Sequence, residues 1–227
     1  MRYRALATDY DGTLADDGRV APSTLDALLR LFENGCRIVL ATGRELDDLR
    51  GVFPQYALFD RVVAENGAVV YDPATRTEKV LGEAPEETFV ARLRELGVAP
   101  LSVGRAIVAT REPHQERVRK VIRELGLRRE VILNKGAVMV LPADVDKARG
   151  LRTALDDLGI SPADAVAVGD AENDCALLEG CGLGVAVGNA LLALKERAHW
   201  ITTRASGAGV VELVDRMLAS DLRDPVG

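Results

Sequence analysis

Apolar positions in the first third of the chain follow two rhythms. Short, mainly apolar runs over residues 3–8, 37–41 and 61–64 read as buried strands. Between them, residues 23–34 repeat Leu25, Leu28, Leu29 and Phe32 at helical spacing, with Ser23 placed as the cap and Gly35 as the stop. A second short helix is predicted over 45–52. The last third repeats the scheme: helix 147–158, strand 165–168, helix 173–179, strand 184–187, helix 191–198, strand 200–202 and helix 209–218. Strands separated by helices at both ends imply one α/β core with a doubly wound parallel sheet. Residues 220–227 read as a polar tail that frays.

The middle of the chain departs from that rhythm. Residues 69–71 and 79–81 pattern as a hairpin, followed by a helix over 86–96, a strand over 102–109, a helix over 115–125, and paired strands around Asn134–Lys135–Gly136. The expected organisation is a core made of residues 1–81 and 147–227, carrying an inserted α+β cap domain over 82–146 that covers the carboxyl edge of the sheet. Pro85 and Pro142 mark the crossings.

Composition changes this picture only by exclusion. With 227 residues, 48% hydrophobic and 28% charged, the chain can bury a full core. A net charge of -6 offers no basic face, so neither nucleic acid nor an anionic membrane is an expected partner. The start of the chain lacks the pattern of a signal peptide and no apolar run is long enough to span a bilayer, which predicts a cytoplasmic protein; the sequence leaves monomer and homodimer both open. Cys36, Cys175 and Cys181 are odd in number and lack paired spacing, and read as small buried hydrophobes.

Chemistry is concentrated where predicted strands end. Asp9-Tyr10-Asp11-Gly12-Thr13 closes the first strand at the edge where such sheets bind ligands. Alternation along a strand lets Asp9 and Asp11 face the same way, and at roughly 4 Å their repulsion reaches about 4 kcal/mol at intermediate dielectric, so a cation is required. An oxygen-rich set of this kind suits Mg²⁺. Gly169-Asp170-Ala171-Glu172-Asn173-Asp174 forms a second acidic cluster after another buried strand. Taken alone, the first cluster reads better as a turn with Asp caps before Gly12, and the second reads equally as a helix-capping acidic loop. Thr42-Gly43-Arg44 can offer a hydroxyl and backbone N–H groups to phosphate oxygens, and Lys147 a point charge.

In their order along the chain, Asp9-Tyr10-Asp11-Gly12-Thr13, Thr42-Gly43-Arg44, Lys147 and Gly169-Asp170-Ala171-Glu172-Asn173-Asp174 resemble the four motifs of the haloacid dehalogenase superfamily. The closer likeness is to its Cof-like phosphatases, echoed by Ala64-Glu65-Asn66-Gly67-Ala68 and Val185-Ala186-Val187-Gly188-Asn189-Ala190. The short cap resembles that of archaeal-type phosphoglycolate phosphatases. The resemblance implies a Mg²⁺-dependent phosphoric monoester hydrolase acting on a small-molecule phosphate ester, phosphoglycolate or a sugar phosphate. It implies Asp9 as nucleophile and Asp11 as acid and base. Metal ligation falls to Asp9, the Asp11 backbone carbonyl, Asp170 and Asp174, and phosphate binding to Thr42, Gly43, Lys147 and Asn173.

Asn66-Gly67 reads by itself as a hairpin turn, and Gly188-Asn189 as a helix cap. Arg105, Arg111, His114 and Lys135 lie near predicted cap strand ends, where most such side chains are solvated and some meet a substrate. Two alternatives stay open: a phosphosugar mutase with the same pocket, and a receiver-like signalling domain. The receiver reading is weakened because the third strand ends without an aspartate.

Overall fold

A computed structural model describes residues 2–220 and residue 222, so the predicted fraying of 220–227 falls almost wholly outside the described residues. The chain begins with β1 (Ala5–Asp9), all five residues buried, and continues through α1 (Pro22–Glu33), β2 (Arg37–Ala41), α2 (Leu46–Val52), β3 (Arg61–Ala64) and the hairpin β4 (Val69–Asp72) and β5 (Thr77–Val80). There follow α3 (Glu87–Glu95), β6 (Ser102–Val103), β7 (Val108–Arg111), α4 (Gln115–Glu124), β8 (Arg129–Asn134) and β9 (Ala137–Pro142). The chain then returns through α5 (Lys147–Asp157), β10 (Ala165–Gly169), α6 (Cys175–Glu179), β11 (Leu183–Ala186), α7 (Leu192–Lys195), β12 (Trp200–Ile201) and α8 (Ser206–Ser220).

Eight strands form one sheet in the order β12-β11-β10-β1-β2-β3-β4-β5, parallel from β12 to β3, with β4 and β5 antiparallel at one edge. From β1 the chain steps to β2 and β3 on one side, and it returns later to β10, β11 and β12 on the other. Right-handed crossovers running in opposite directions place their helices on opposite faces, and ligands bind where the direction reverses. That point is the gap between β1 and β10, whose register pairs Thr8 with Val168.

Helix α1 differs from the expectation in its start and its buried face. Pro22 opens it and Ala21 precedes it in extended conformation, so Ser23 lies in the first turn and caps nothing. The fixed φ of proline and its missing N–H suit that first position. The face turned inward is Thr24, Ala27, Leu28 and Leu31, while Leu29 and Phe32 are exposed. The inserted segment builds a second, antiparallel sheet in the order β6-β7-β9-β8, with Phe89, Leu93, Val118 and Val121 from α3 and α4 sharing a core with Val108, Val138 and Val140. The single strand expected over 102–109 is broken into β6 and β7 by a turn at Gly104. No helix among the described residues is long and apolar enough to cross a membrane.

Candidate active site

Asp9 is the last residue of β1, in register with Ala41 of β2, so the next residue on β2's side is Thr42. Asp170 follows directly on β10, and Asp174 lies four residues on, one turn later. Each of these three carboxylates is buried, and each offers an oxygen within 4.8 Å of the others. Asp174 is fixed by its own loop, since its Oδ2 accepts the backbone N–H groups of Asp170 (3.0 Å) and Ala171 (3.1 Å).

Lys147 faces this cluster from the first position of α5. Its Nζ donates to Asp9 Oδ1 at 2.5 Å and to Asp174 Oδ1 at 2.7 Å, and the residue is 1% exposed. A lysine at a helix N-terminus opposes the helix dipole, so its place there is set by the two carboxylates rather than by α5. Asp146 caps the same helix by accepting the Arg149 N–H at 2.7 Å. A second ammonium, Lys135 in the turn between β8 and β9, ion-pairs with Asp170. Three carboxylates against two ammonium groups leave the centre one negative charge in excess when all are ionised.

Burial, reinforced by Asp174 and opposed by Lys147, pushes the Asp9 carboxyl up to about 7. Burial also raises Asp170, against the pull of Lys135. For Lys147 burial works against the charge, and Asp174 and Asp9 outweigh it, holding the ammonium above its ordinary value. Raising Asp9 has a consequence for the metal-free protein. A carboxyl that binds its proton more tightly folded than unfolded favours the folded state fully below its unfolded value near 4, and loses that contribution as pH rises to about 7. The stability gap between Asp9→Asn and the parent should therefore widen in favour of the variant from pH 4 to pH 7, by a few kcal/mol at about the upper limit, and level off above. Thermal melts in EDTA across that range measure it, and a constant gap would contradict the assignment.

Asp11 does not join the triad. Its carboxylate lies in the fork of Arg44, with Nε to Oδ2 and Nη2 to Oδ1 both at 2.8 Å, and Arg44 also reaches Asp48 at 2.6 Å. The cation required by the two aspartates is thus supplied twice, by Lys147 for Asp9 and by Arg44 for Asp11. Sequence reading named Arg44 only as part of its tripeptide. The available signal was that Asp11, Asp47 and Asp48 all need a partner close to the second strand's end.

Thr42 is buried, and its Oγ1 accepts the Arg44 N–H at 3.1 Å. Asn173 donates through Nδ2 to Asn66 Oδ1 at 3.2 Å, while its own Oδ1 is buried without a partner among the described residues. Asn66-Gly67 does lie in the turn joining the antiparallel pair β3 and β4, as expected, yet Asn66 is buried and directed at the site rather than at solvent. Asn189 does not cap the helix that follows it, since Leu191 precedes α7: its Nδ2 donates to the Gly12 carbonyl (2.8 Å) and its Oδ1 accepts the N–H of Ser206 at the start of α8 (2.7 Å). His199 is structural, its Nδ1 accepting the Gly184 N–H at 3.0 Å. Cys36 and Cys181 are free and buried, and burial pushes both thiols up to about 12.

A cavity of about 390 Å³ opens beside the Arg44 fork, between the start of α2 and the second sheet. Arg44, Glu45 and Asp48 border it from the core, and Leu101, Ile107 and Arg111 from the insertion. Glu45 reaches across to accept the Ser102 hydroxyl. Of the four basic candidates in the insertion, Arg105 pairs with Asp47 (2.7 Å) and Glu78 (3.3 Å), His114 Nε2 meets the Ala99 carbonyl (3.0 Å), and Lys135 holds Asp170. Of these four, Arg111 alone has a side chain with no hydrogen bond or ion pair among the described residues, and it lines the cavity.

The residues present fit a hard divalent cation. The donor set is all oxygen, it is short of positive charge, and the unpartnered Asn173 Oδ1 is an acceptor suited to a metal-held water.

Comparison with known proteins gives consistent results. A family model described as haloacid dehalogenase-like hydrolase matches residues 6–96 and 99–214. The phosphoglycolate phosphatase of Methanothermobacter thermautotrophicus is 31% identical over 223 residues, covering 95% of this chain and 99% of that one. Among solved structures, a haloacid dehalogenase-like hydrolase from Bacteroides thetaiotaomicron superposes with a TM-score of 0.78 at 22% identity, covering 95% of this chain and 99% of its own. A sugar phosphatase of HAD subclass IIB gives 0.76 at 20% identity, covering 95% and 98%.

Proposed function

The chain belongs to the haloacid dehalogenase-like hydrolase family and is a phosphoric monoester hydrolase, and on that premise we propose that it is Mg²⁺-dependent, acts on small phosphate esters, phosphoglycolate first, and works through an aspartyl phosphate on Asp9. The observation that carries this reading is the convergence of Asp9, Asp170 and Asp174 with Lys147 at the mouth between β1 and β10.

In this mechanism Asp9 attacks phosphorus in line, forming its O–P bond as the bond to the leaving oxygen breaks. Asp11 leaves the Arg44 fork, takes a proton from solvent and passes it to that oxygen. It then takes a proton from the water that attacks the phosphorylated Asp9, and phosphate departs with the carboxylate restored. Thr42, the Gly43 N–H and Lys147 hold the phosphoryl oxygens, and Asn173 lies close to them from the turn that follows β10. Asp9, the Asp11 carbonyl, Asp170 and Asp174 would hold Mg²⁺, which when bound would supply the neutralisation that lets an anionic nucleophile approach an anionic ester.

Residues 82–146 act as the cap, and the cavity beside Arg44 receives the leaving group. Arg111 is the free cation there, suited to a carboxylate on that group. Arg111→Ala should raise KM for phosphoglycolate about tenfold while changing p-nitrophenyl phosphate turnover less than about threefold. An equal loss on both substrates would remove Arg111 from substrate reading. The same proposal places the enzyme in the cytoplasm as a monomer or homodimer, which light scattering on the purified protein resolves. Phosphate release from phosphoglycolate that requires Mg²⁺ and stops with EDTA is the expected result; turnover indifferent to EDTA would overturn the metal role.

A further inference from the structure

Glu65 is fully buried, and its side chain meets no cation among the described residues. Its carboxylate instead accepts three backbone N–H groups from a loop forty residues further along, Arg105 to Oε1 at 2.8 Å, and Ala106 and Ile107 to Oε2 at 2.9 and 3.1 Å. That loop is the turn that splits the expected strand into β6 and β7, closed by the Gly104 N–H on the Ile107 carbonyl at 2.9 Å. Gly104 is required by the carboxylate itself, because a Cβ there would stand 2.6 Å from Glu65 Oε1. Ile107, the last residue the carboxylate holds, forms a wall of the cavity beside Arg44.

The turn that carries Glu65 is strained in a way that locates it. Glu65, Asn66 and Gly67 have φ of +50°, +52° and +106°, a run of positive-φ backbone that glycine and asparagine tolerate and glutamate disfavours. The run is held by Glu65 N–H to the Arg44 carbonyl (2.8 Å), by Asn66 N–H to the Thr42 carbonyl (3.0 Å) and by the Asn173–Asn66 side-chain bond. Gly67 packs so closely on the Asp146 carbonyl, one residue ahead of Lys147, that no Cβ fits. One three-residue turn therefore touches the 42–44 loop, the start of α5, Asn173 and the inserted unit.

We propose that Glu65 is a positioning residue, a latch that holds the 104–107 loop over the cavity and so sets which leaving groups the site accepts. This rests on reading that cavity as the leaving-group pocket. Three converging N–H donors demand acceptors on both oxygens of the side chain. Glutamine presents a donor on one side, and aspartate is one carbon short. Without the latch the Ile107 wall moves off, and esters that depend on contacts to their leaving group lose them. Esters with an activated leaving group keep their turnover, because the 42–44 loop, Lys147 and the carboxylate triad are untouched.

The test uses the full chain with Mg²⁺, comparing the parent with Glu65→Gln and with Gly104→Ala, which displaces the loop from its own side. For both variants kcat/KM toward phosphoglycolate should fall about thirtyfold or more, chiefly through KM, while p-nitrophenyl phosphate stays within about threefold. Amide exchange at Arg105, Ala106 and Ile107 should quicken in Glu65→Gln by about a hundredfold, with exchange in β1 and β10 unchanged. Unchanged exchange at those amides, or equal loss on both substrates, would overturn the latch. Absence of phosphate release from the parent protein would instead overturn the phosphatase reading, and the exchange rates would still decide whether Glu65 holds the loop.

Discussion

Asp9→Asn is expected to lower phosphate release by about 10³-fold or more while making the metal-free protein more stable. The two effects have one cause. Asp9 sits 4% exposed beside two other buried carboxylates, and its acid form is favoured up to about pH 7. The amide that replaces it keeps the shape and removes a charge that costs folding energy, and it also removes the oxygen that attacks phosphorus in the proposed mechanism. Thermal melts in EDTA at pH 8 together with initial rates in Mg²⁺ check both. A variant that loses stability along with activity would show that Asp9 is there to hold the fold.

Lys147→Met should act in the opposite direction on stability and in the same direction on rate. Removing one partner from a buried ionic cluster leaves the others uncompensated, at a cost of about 3–5 kcal/mol, or on the order of 10 °C in Tm for a chain of this size. Asp9 and Asp174 would then face each other without the ammonium that bonds both. Mg²⁺ should recover part of that loss by mass action, because the site proposed for it is assembled only in the folded chain. Turnover should fall by about 10²-fold or more even where Mg²⁺ restores the fold, since the phosphoryl clamp is gone. A metal-free Tm equal to the parent's would contradict the role assigned to Lys147.

What could be read from the sequence followed from local chemistry. Strands β1, β2, β3 and β10 announce themselves as apolar runs because parallel strands in this sheet are buried on both faces. Asp9, Asp170 and Asp174 stand out because acidic residues directly after such runs must lie at the sheet's carboxyl edge. Side-chain direction past the strand end is another matter. Alternation predicts that Asp11 shares a face with Asp9, but β1 stops at Asp9, and beyond it the Arg44 fork decides where Asp11 turns.

The inserted unit was harder to read for a similar reason. Residues 102–109 carry a strand-like pattern, and what bends them is a carboxylate on a distant turn, which no window of sequence contains. The face of α1 was misjudged because Leu25, Leu28, Leu29 and Phe32 form the more apolar stripe, while the helix turns Ala27 and Thr24 inward, where α8 packs close. Small residues that permit close approach leave little trace in a hydrophobic pattern.

The account stands on a covalent phosphoryl group carried by Asp9. The direct measurement is to quench the Mg²⁺ enzyme during turnover of radiolabelled phosphoglycolate, reduce with borohydride, and map the modified peptide. Label on the peptide containing Asp9 before reduction, with that residue converted to homoserine afterwards, is the predicted result. Continued turnover with no acid-stable, borohydride-sensitive adduct on Asp9, or an adduct on any other carboxylate, would contradict it.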